Sequence, residues 1–260
     1  MALLWLLSCV TLIGTHFGSG AHASDPEMSI TPRIINGVQA LPGTLPWHAM
    51  LQSPSGALIC GGSLIHRRWV LTSATCNVTT SDWVVVGMYN PHSNKNIMHR
   101  IEVAKVIRHP MTRVFNDIAL VKMNFPIDFS GTGSTIILSN VHDKFSPRSK
   151  CIVVGWGLNE RNGFQYPEIQ HEAAVSLLST RNCERFLGNL LHKTLICAEA
   201  NGVSLGSGDS GSPLVCRKYR VWTLVGISSL SNQNGHTSKP FVATRVAPFI
   251  PWILKTIKHN

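Results

Sequence analysis

The stretch Gly208-Asp209-Ser210-Gly211-Ser212-Pro213-Leu214 is the part of the chain best equipped for chemistry. A serine stands between glycines, after an acidic residue, in a loop that runs into the apolar Pro213-Leu214-Val215. Glycines let the backbone bend sharply and bring its N–H groups close to a bound carbonyl, which suits acyl transfer from a carbonyl substrate. A serine hydroxyl is barely nucleophilic until a base takes its proton, so the stretch works only if the fold supplies that base. Twelve histidines are present, with His48, His66, His99 and His109 in the first half.

The elements that must position these groups are short. Runs such as Trp69-Val70-Leu71-Thr72, Trp83-Val84-Val85-Val86, Ile118-Ala119-Leu120-Val121, Cys151-Ile152-Val153-Val154 and Val221-Trp222-Thr223-Leu224-Val225 recur between Gly and Pro clusters. Such spacing predicts an all-β sandwich or barrel. Helical spacing of apolar residues is confined to Phe249–Lys258, where Pro251 suits a first turn and the late lysines suit the C-terminal end. With 260 residues, 44% apolar and only 14% charged, the chain suits a packed globular protein of one large domain or two small ones.

The N-terminus begins Ala2-Leu3-Leu4-Trp5-Leu6-Leu7 and continues apolar to Gly14. This run is short for a spanning helix and reads as a signal peptide over 1–23, cut after Gly18 or Ala23. No later segment is long and apolar enough to span. Cys9 leaves with the signal, and six cysteines remain: Cys60, Cys76, Cys151, Cys183, Cys197 and Cys216. An even number in a secreted chain points to three disulfides, with fifteen possible pairings. No cysteine or histidine spacing suggests a metal, and no cofactor is implied. The expected location is extracellular or a secretory granule.

Residues 24–33 are polar, contain Pro26 and Pro32, and end in Arg33, before Ile34-Ile35-Asn36-Gly37. Together with Cys60-Gly61-Gly62-Ser63-Leu64-Ile65, Trp69–Cys76, Asp117-Ile118-Ala119-Leu120, Gly155-Trp156-Gly157 and the Ser210 loop, this junction resembles the trypsin/chymotrypsin-like serine protease family. The likeness covers residues 33–258. It implies a propeptide over 24–33, removed by a trypsin-like enzyme, and a protease domain over 34–260. It further implies two six-stranded antiparallel β-barrels, about 34–137 and 138–260, with an active site between them and a C-terminal helix outside. The implied disulfides are Cys60–Cys76, Cys151–Cys216 and Cys183–Cys197. Cutting after Arg33 would free the Ile34 α-amine to pair with Asp209; a buried ion pair is costly unless both members are present, so a distant cut can order the site. Asp117 matches the orienting aspartate, Ser210 the nucleophile, and the N–H groups of Gly208 and Ser210 the oxyanion hole.

One essential part departs from the pattern. The residue before Cys76, where the family carries its catalytic histidine, is Thr75. Imidazole takes a proton near neutral pH and returns it to the leaving amine; a threonine hydroxyl does neither. In a serine protease of another fold the same loss costs about 2 × 10⁶ in kcat, on the order of 8 kcal/mol. Asp117 then lacks its usual partner, and the hydroxyls of Thr75 and Ser229 are the expected donors to it. None of the other histidines falls on the catalytic position.

The cleft departs too. Leu230 stands where a tryptophan lines the primary pocket, Ser231 where a glycine pairs with substrate, and Ser212 replaces the second glycine after the nucleophile. Ser204 falls at the pocket floor, and Phe241 at a pocket wall its ring would fill. Gly206 stands where many members have a cysteine, an absence shared with granzymes and mast-cell proteases. The lost histidine resembles azurocidin, an inactive member of the family.

Asn77-Val78-Thr79 is a glycosylation sequon. The formal charge is +10, and removal of Asp25, Glu27 and Arg33 with the propeptide takes the chain from Ile34 onward to +11. Such a balance favours anionic polymers or surfaces. The basic residues form runs at His66-Arg67-Arg68, at Lys105 with Arg108-His109, at Arg217-Lys218 with Arg220, and at Lys255 with Lys258-His259. The expected protein is a secreted, monomeric, catalytically inactive homologue that binds an anionic glycan, a surface or another protease. Its rivals are a peptidase using Ser210 with a non-standard base, and a decoy for protease inhibitors. No nucleic-acid motif is present.

Overall fold

The structure is a computed structural model describing residues 37–41, 43–87, 98–112, 115–129, 133–156, 170–199, 205–206, 208–230 and 240–260. In chain order the strands are β1 (Val38–Gln39), β2 (His48–Gln52), β3 (Leu58–His66), β4 (Trp69–Thr72), β5 (Trp83–Val86), β6 (His99–Arg108), β7 (Ala119–Met123) and β8 (Ile137–Leu138). They continue as β9 (Cys151–Gly155), β10 (His171–Leu177), β11 (Leu195–Glu199), β12 (Pro213–Lys218), β13 (Val221–Leu230) and β14 (Phe241–Arg245). Helix α1 (Thr180–Leu187) lies between β10 and β11, and α2 (Ile250–His259) ends the chain.

Two closed six-stranded antiparallel barrels result, as the sequence led us to expect. The first closes in the order β2-β3-β4-β7-β6-β5. The second runs β10-β11-β14-β13-β12-β9 and closes through β9 on β10. Closure pairs the two outer strands of each six-stranded sheet with one another, which removes the edges an open sheet would expose. Val38–Gln39 precedes the first barrel in the chain, and β1 pairs with β10 of the second. Strand β8 likewise adds to β13.

All five residues of β2 are buried, because this strand has the first barrel's interior on one side and the second barrel on the other. Met50 and Val85 form one apolar cluster with Trp156, which follows β9. Helix α2 sets Ile253 into the same core as Leu71 and Leu120, with Phe249 and Trp252 flanking His109 edge-on.

The short helix α1 joins the C-terminal helix as a second α-helical element among the described residues. Its residues are mostly exposed, but Cys183 is buried and Leu187, one turn on, packs against the same cluster as Leu195 and Val242; Ser179 caps the helix, its hydroxyl accepting from Asn182 N–H, and Cys183 is tethered to Cys197. The other disulfides are Cys60–Cys76 and Cys151–Cys216. All three pairings are those the family resemblance implies. Among the described residues no helix is long and apolar enough to cross a membrane.

Candidate active site

Ser210 sits half-buried in the loop that enters β12. Its carbonyl accepts the Gly61 N–H at 2.8 Å, which pins the loop to β3 of the first barrel. Gly211, at φ +79°, is wedged so tightly that an added Cβ would lie 2.2 Å from Thr72 Oγ1 and 2.3 Å from Gly61 O. Asp209 is fully buried, and its Oδ2 accepts the Gly206 N–H at 2.8 Å. The glycine of Gly155-Trp156 has a reason here: a Cβ on Gly155 would meet Asp209 Oδ1 at 1.9 Å. Among the described residues, neither the Gly208 nor the Ser210 N–H donates a hydrogen bond, so both remain available to a carbonyl oxygen.

Asp117 lies just before β7 and is 1% exposed. Four donors converge on it. Thr75 N–H reaches Oδ1 at 2.8 Å, while Ser73 Oγ, Ser229 Oγ and Thr75 Oγ1 reach Oδ2 at 2.5, 2.5 and 3.0 Å. Ser73 and Thr75 belong to the first barrel and Ser229 to β13 of the second, so this carboxylate ties the barrels together. The charge is compensated without an imidazole, which is what lets it stay buried. Thr75 rides on the 3₁₀ turn Ala74–Cys76, held to β3 by the Cys60–Cys76 disulfide. Thr75 and Ser229 thus bond Asp117 as the sequence suggested; Ser73 is a third hydroxyl that sequence reasoning missed.

No imidazole lies within hydrogen-bond distance of the Ser210 hydroxyl among the described residues. His48 is the histidine nearest the loop in connectivity, and it is committed elsewhere. Its ring stacks on Trp156 at 3.9 Å, its Nδ1 is 2.5 Å from Gln170 Nε2, and its Nε2 is 3.5 Å from Ser212 Oγ. Burial pushes its pKa down to about 3, so it is a neutral core residue. His66 uses Nδ1 to accept the Arg68 N–H, and His109 packs under α2. His99 opens β6.

The pocket residues divide. Ser204 and Ser231 lie outside the described residues, and Leu230 is placed by its backbone pairing with Val242. Phe241 pairs with Ala198 and is buried in the apolar core of the second barrel. Leu205, which sequence reasoning passed over, is 1% exposed and belongs to that same core. Two bulky apolar residues on either side of the nucleophile in sequence are therefore packed inward. Arg33 and Ile34 lie outside the described residues. Asn77 is exposed, at φ 50°, directly after the disulfide turn.

The family model described as Trypsin matches residues 34–253, which is most of the chain. The chain belongs to the trypsin family. Among solved structures it is similar to neuropsin, a serine protease expressed in the limbic system of mouse brain. The two share 31% identity with a TM-score of 0.74, over 85% of this chain and 99% of that one.

Proposed function

We propose that this trypsin-family chain is a secreted protein that binds rather than cleaves. The observation that carries the reading is the set of donors on Asp117: Thr75 fills two of its hydrogen-bonding positions and offers no base to Ser210. Without proton removal the serine stays a hydroxyl, and the oxyanion donors alone give only slight catalysis over water.

The retained Arg33-Ile34 junction and the buried Asp209 give cleavage a conformational role that outlasts catalysis. Three disulfides fit an oxidising compartment, with Asn77 the glycan acceptor. The ligand class is an anionic glycan, favoured by the +11 charge of the chain after Arg33.

A second reading keeps the chain a serine peptidase, as neuropsin is. Its support is the intact Ser210 loop with both backbone donors unused. The decoy reading needs an open pocket to receive an inhibitor's side chain. Turnover of a broad peptide library by the chain cut after Arg33, set against Ser210→Ala, separates binding from cleavage. Ser210-dependent turnover would refute the proposal.

A further inference from the structure

The four basic runs in the sequence meet different fates in the fold. Arg67 donates to the Ile127 carbonyl and faces Asp128 at 3.9 Å, and Arg68 donates to the carbonyls of Met123 and Asn124. Lys105 reaches the Asn260 side chain, and Arg108 donates to the Val78 carbonyl. These residues serve the fold. On α2, Lys255 and Lys258 are exposed but stand only as a pair.

Arg217 Nε donates to the Arg220 carbonyl at 3.4 Å, and beside Arg217 and Arg220 the fold adds two cations from far away in sequence. Arg217 and Arg220 line one surface groove of about 560 Å³ together with Arg148, Ser149 and Lys150. Lys150 and Arg217 flank the Cys151–Cys216 disulfide, and the Arg217 N–H donates to the Lys150 carbonyl at 2.8 Å. All four basic side chains are exposed, no carboxylate lines the groove, and none of the four forms a salt bridge among the described residues. The nearby Lys218 is neutralised by Asp143; these four are not. Like charges gathered without counter-ions repel, and an anion relieves that repulsion.

The backbone carries a second, independent sign. The two-residue turn joining β12 to β13 is Tyr219-Arg220, and both residues have positive φ, 46° and 69°. A hairpin turn of this kind is normally built from Asn-Gly, since other L-residues are strained there. Strain held by a rigid frame is a mark of functional positions. Here it sets Arg220 into the groove and leaves Tyr219 90% exposed at its edge.

We infer that the Arg148–Lys150–Arg217–Arg220 groove is the site at which this chain binds a sulfated polysaccharide. Guanidinium forks match sulfate oxygens in paired hydrogen bonds, and fixed positions beside a disulfide reduce the ordering cost of binding. The groove is lined by no apolar side chain, which disfavours a lipid acyl surface. The exposed Tyr219 ring offers a flat face to a sugar ring. This site deepens the glycan-binding role proposed above and rests on it.

The test measures binding of the full secreted chain to heparin and to desulfated heparin at about 0.15 M salt. Three variants are compared: Arg148→Ser/Arg217→Ser in the groove, Lys255→Gln/Lys258→Gln on α2, and Arg220→Gly. At about fivefold for each cation facing an anionic surface, the groove pair weakens heparin binding about 25-fold while the α2 pair leaves it within about twofold. Arg220→Gly raises the Tm by relieving the turn and still weakens binding about fivefold, so misfolding cannot explain the loss. Equal losses in both pairs would show that net charge alone acts, and overturn the site while sparing the glycan role. Failure of the wild type to bind heparin would overturn both. Groove-dependent capture by phosphatidylserine vesicles, with no heparin binding, would replace the polysaccharide with a membrane. None of these outcomes bears on peptide turnover, which tests the catalytic reading separately.

Discussion

Acid should destabilise this protein through His48. The imidazole is 3% exposed, stacked on Trp156, and flanked by the uncharged Gln170 and Ser212. Burial lowers its pKa from 6.5 to about 3, so the folded state holds it neutral. Between those values the unfolded chain binds a proton that the folded chain refuses. Stability therefore falls as pH falls through this window, by about 1.36 kcal/mol per unit. The loss is about 2 kcal/mol at pH 5 and approaches 5 kcal/mol across the whole window, a large share of the typical 5–15 kcal/mol. Denaturant unfolding between pH 7 and 4.5, wild type against His48→Gln, reads the effect. The glutamine keeps a polar side chain at the site and cannot titrate, so its stability should fall less steeply than that of the wild type, by the His48 contribution. Four other groups shift as well. Burial lowers His109, which acts in the same sense as His48, and lowers the Arg245 guanidinium. The Lys218 ammonium bonded to Asp143 holds that carboxyl below its usual range, so its contribution is lost only below about pH 4. Burial raises Glu172, which acts in the opposite sense. All four are common to the two proteins and cancel in the difference. Parallel acid loss in wild type and His48→Gln would refute the argument.

Two further perturbations probe the site's frame. Gly211→Ala should cost about 3 kcal/mol or more, because it combines an unfavourable φ with a Cβ driven into Thr72 Oγ1 and Gly61 O; a change under about 1 kcal/mol in denaturant unfolding would contradict the close approach. Asp117→Ala should cost about 3 kcal/mol, since three side-chain hydroxyls and one N–H lose a buried acceptor that joins the two barrels. A Tm equal to that of the wild type would show that Asp117 does not hold the barrels together.

The elements legible in the sequence are those whose signal is local. Short β-branched runs between Gly and Pro clusters gave the strands, and Phe249–Lys258 gave α2 through its apolar period. Helix α1 was hidden because its apolar face is only one turn long, Cys183 and Leu187 among polar and charged residues, and the rest of its frame is a capping serine and a disulfide. The site was legible in part. The identities of Thr75, Asp117 and Ser210 are sequence facts, but the third hydroxyl on Asp117 depends on the path of residues 72–76. The burial of Leu205 depends on the second barrel's core, and no local pattern distinguishes it from an exposed leucine. His48 looked like any strand histidine until the second barrel placed Trp156 over its ring. Arg148 and Lys150 join Arg217 and Arg220 only through the register that sets Cys151 opposite Cys216.

The central claim is that Thr75 leaves Ser210 without a base. The most direct measurement is peptide turnover by the chain cut after Arg33, comparing wild type, Ser210→Ala, Thr75→His, and Thr75→His with Phe241→Gly. The account predicts that wild type matches the Ser210→Ala background, and that turnover emerges only with the histidine, most strongly when the pocket is also opened. Wild-type turnover that vanishes in Ser210→Ala would contradict it.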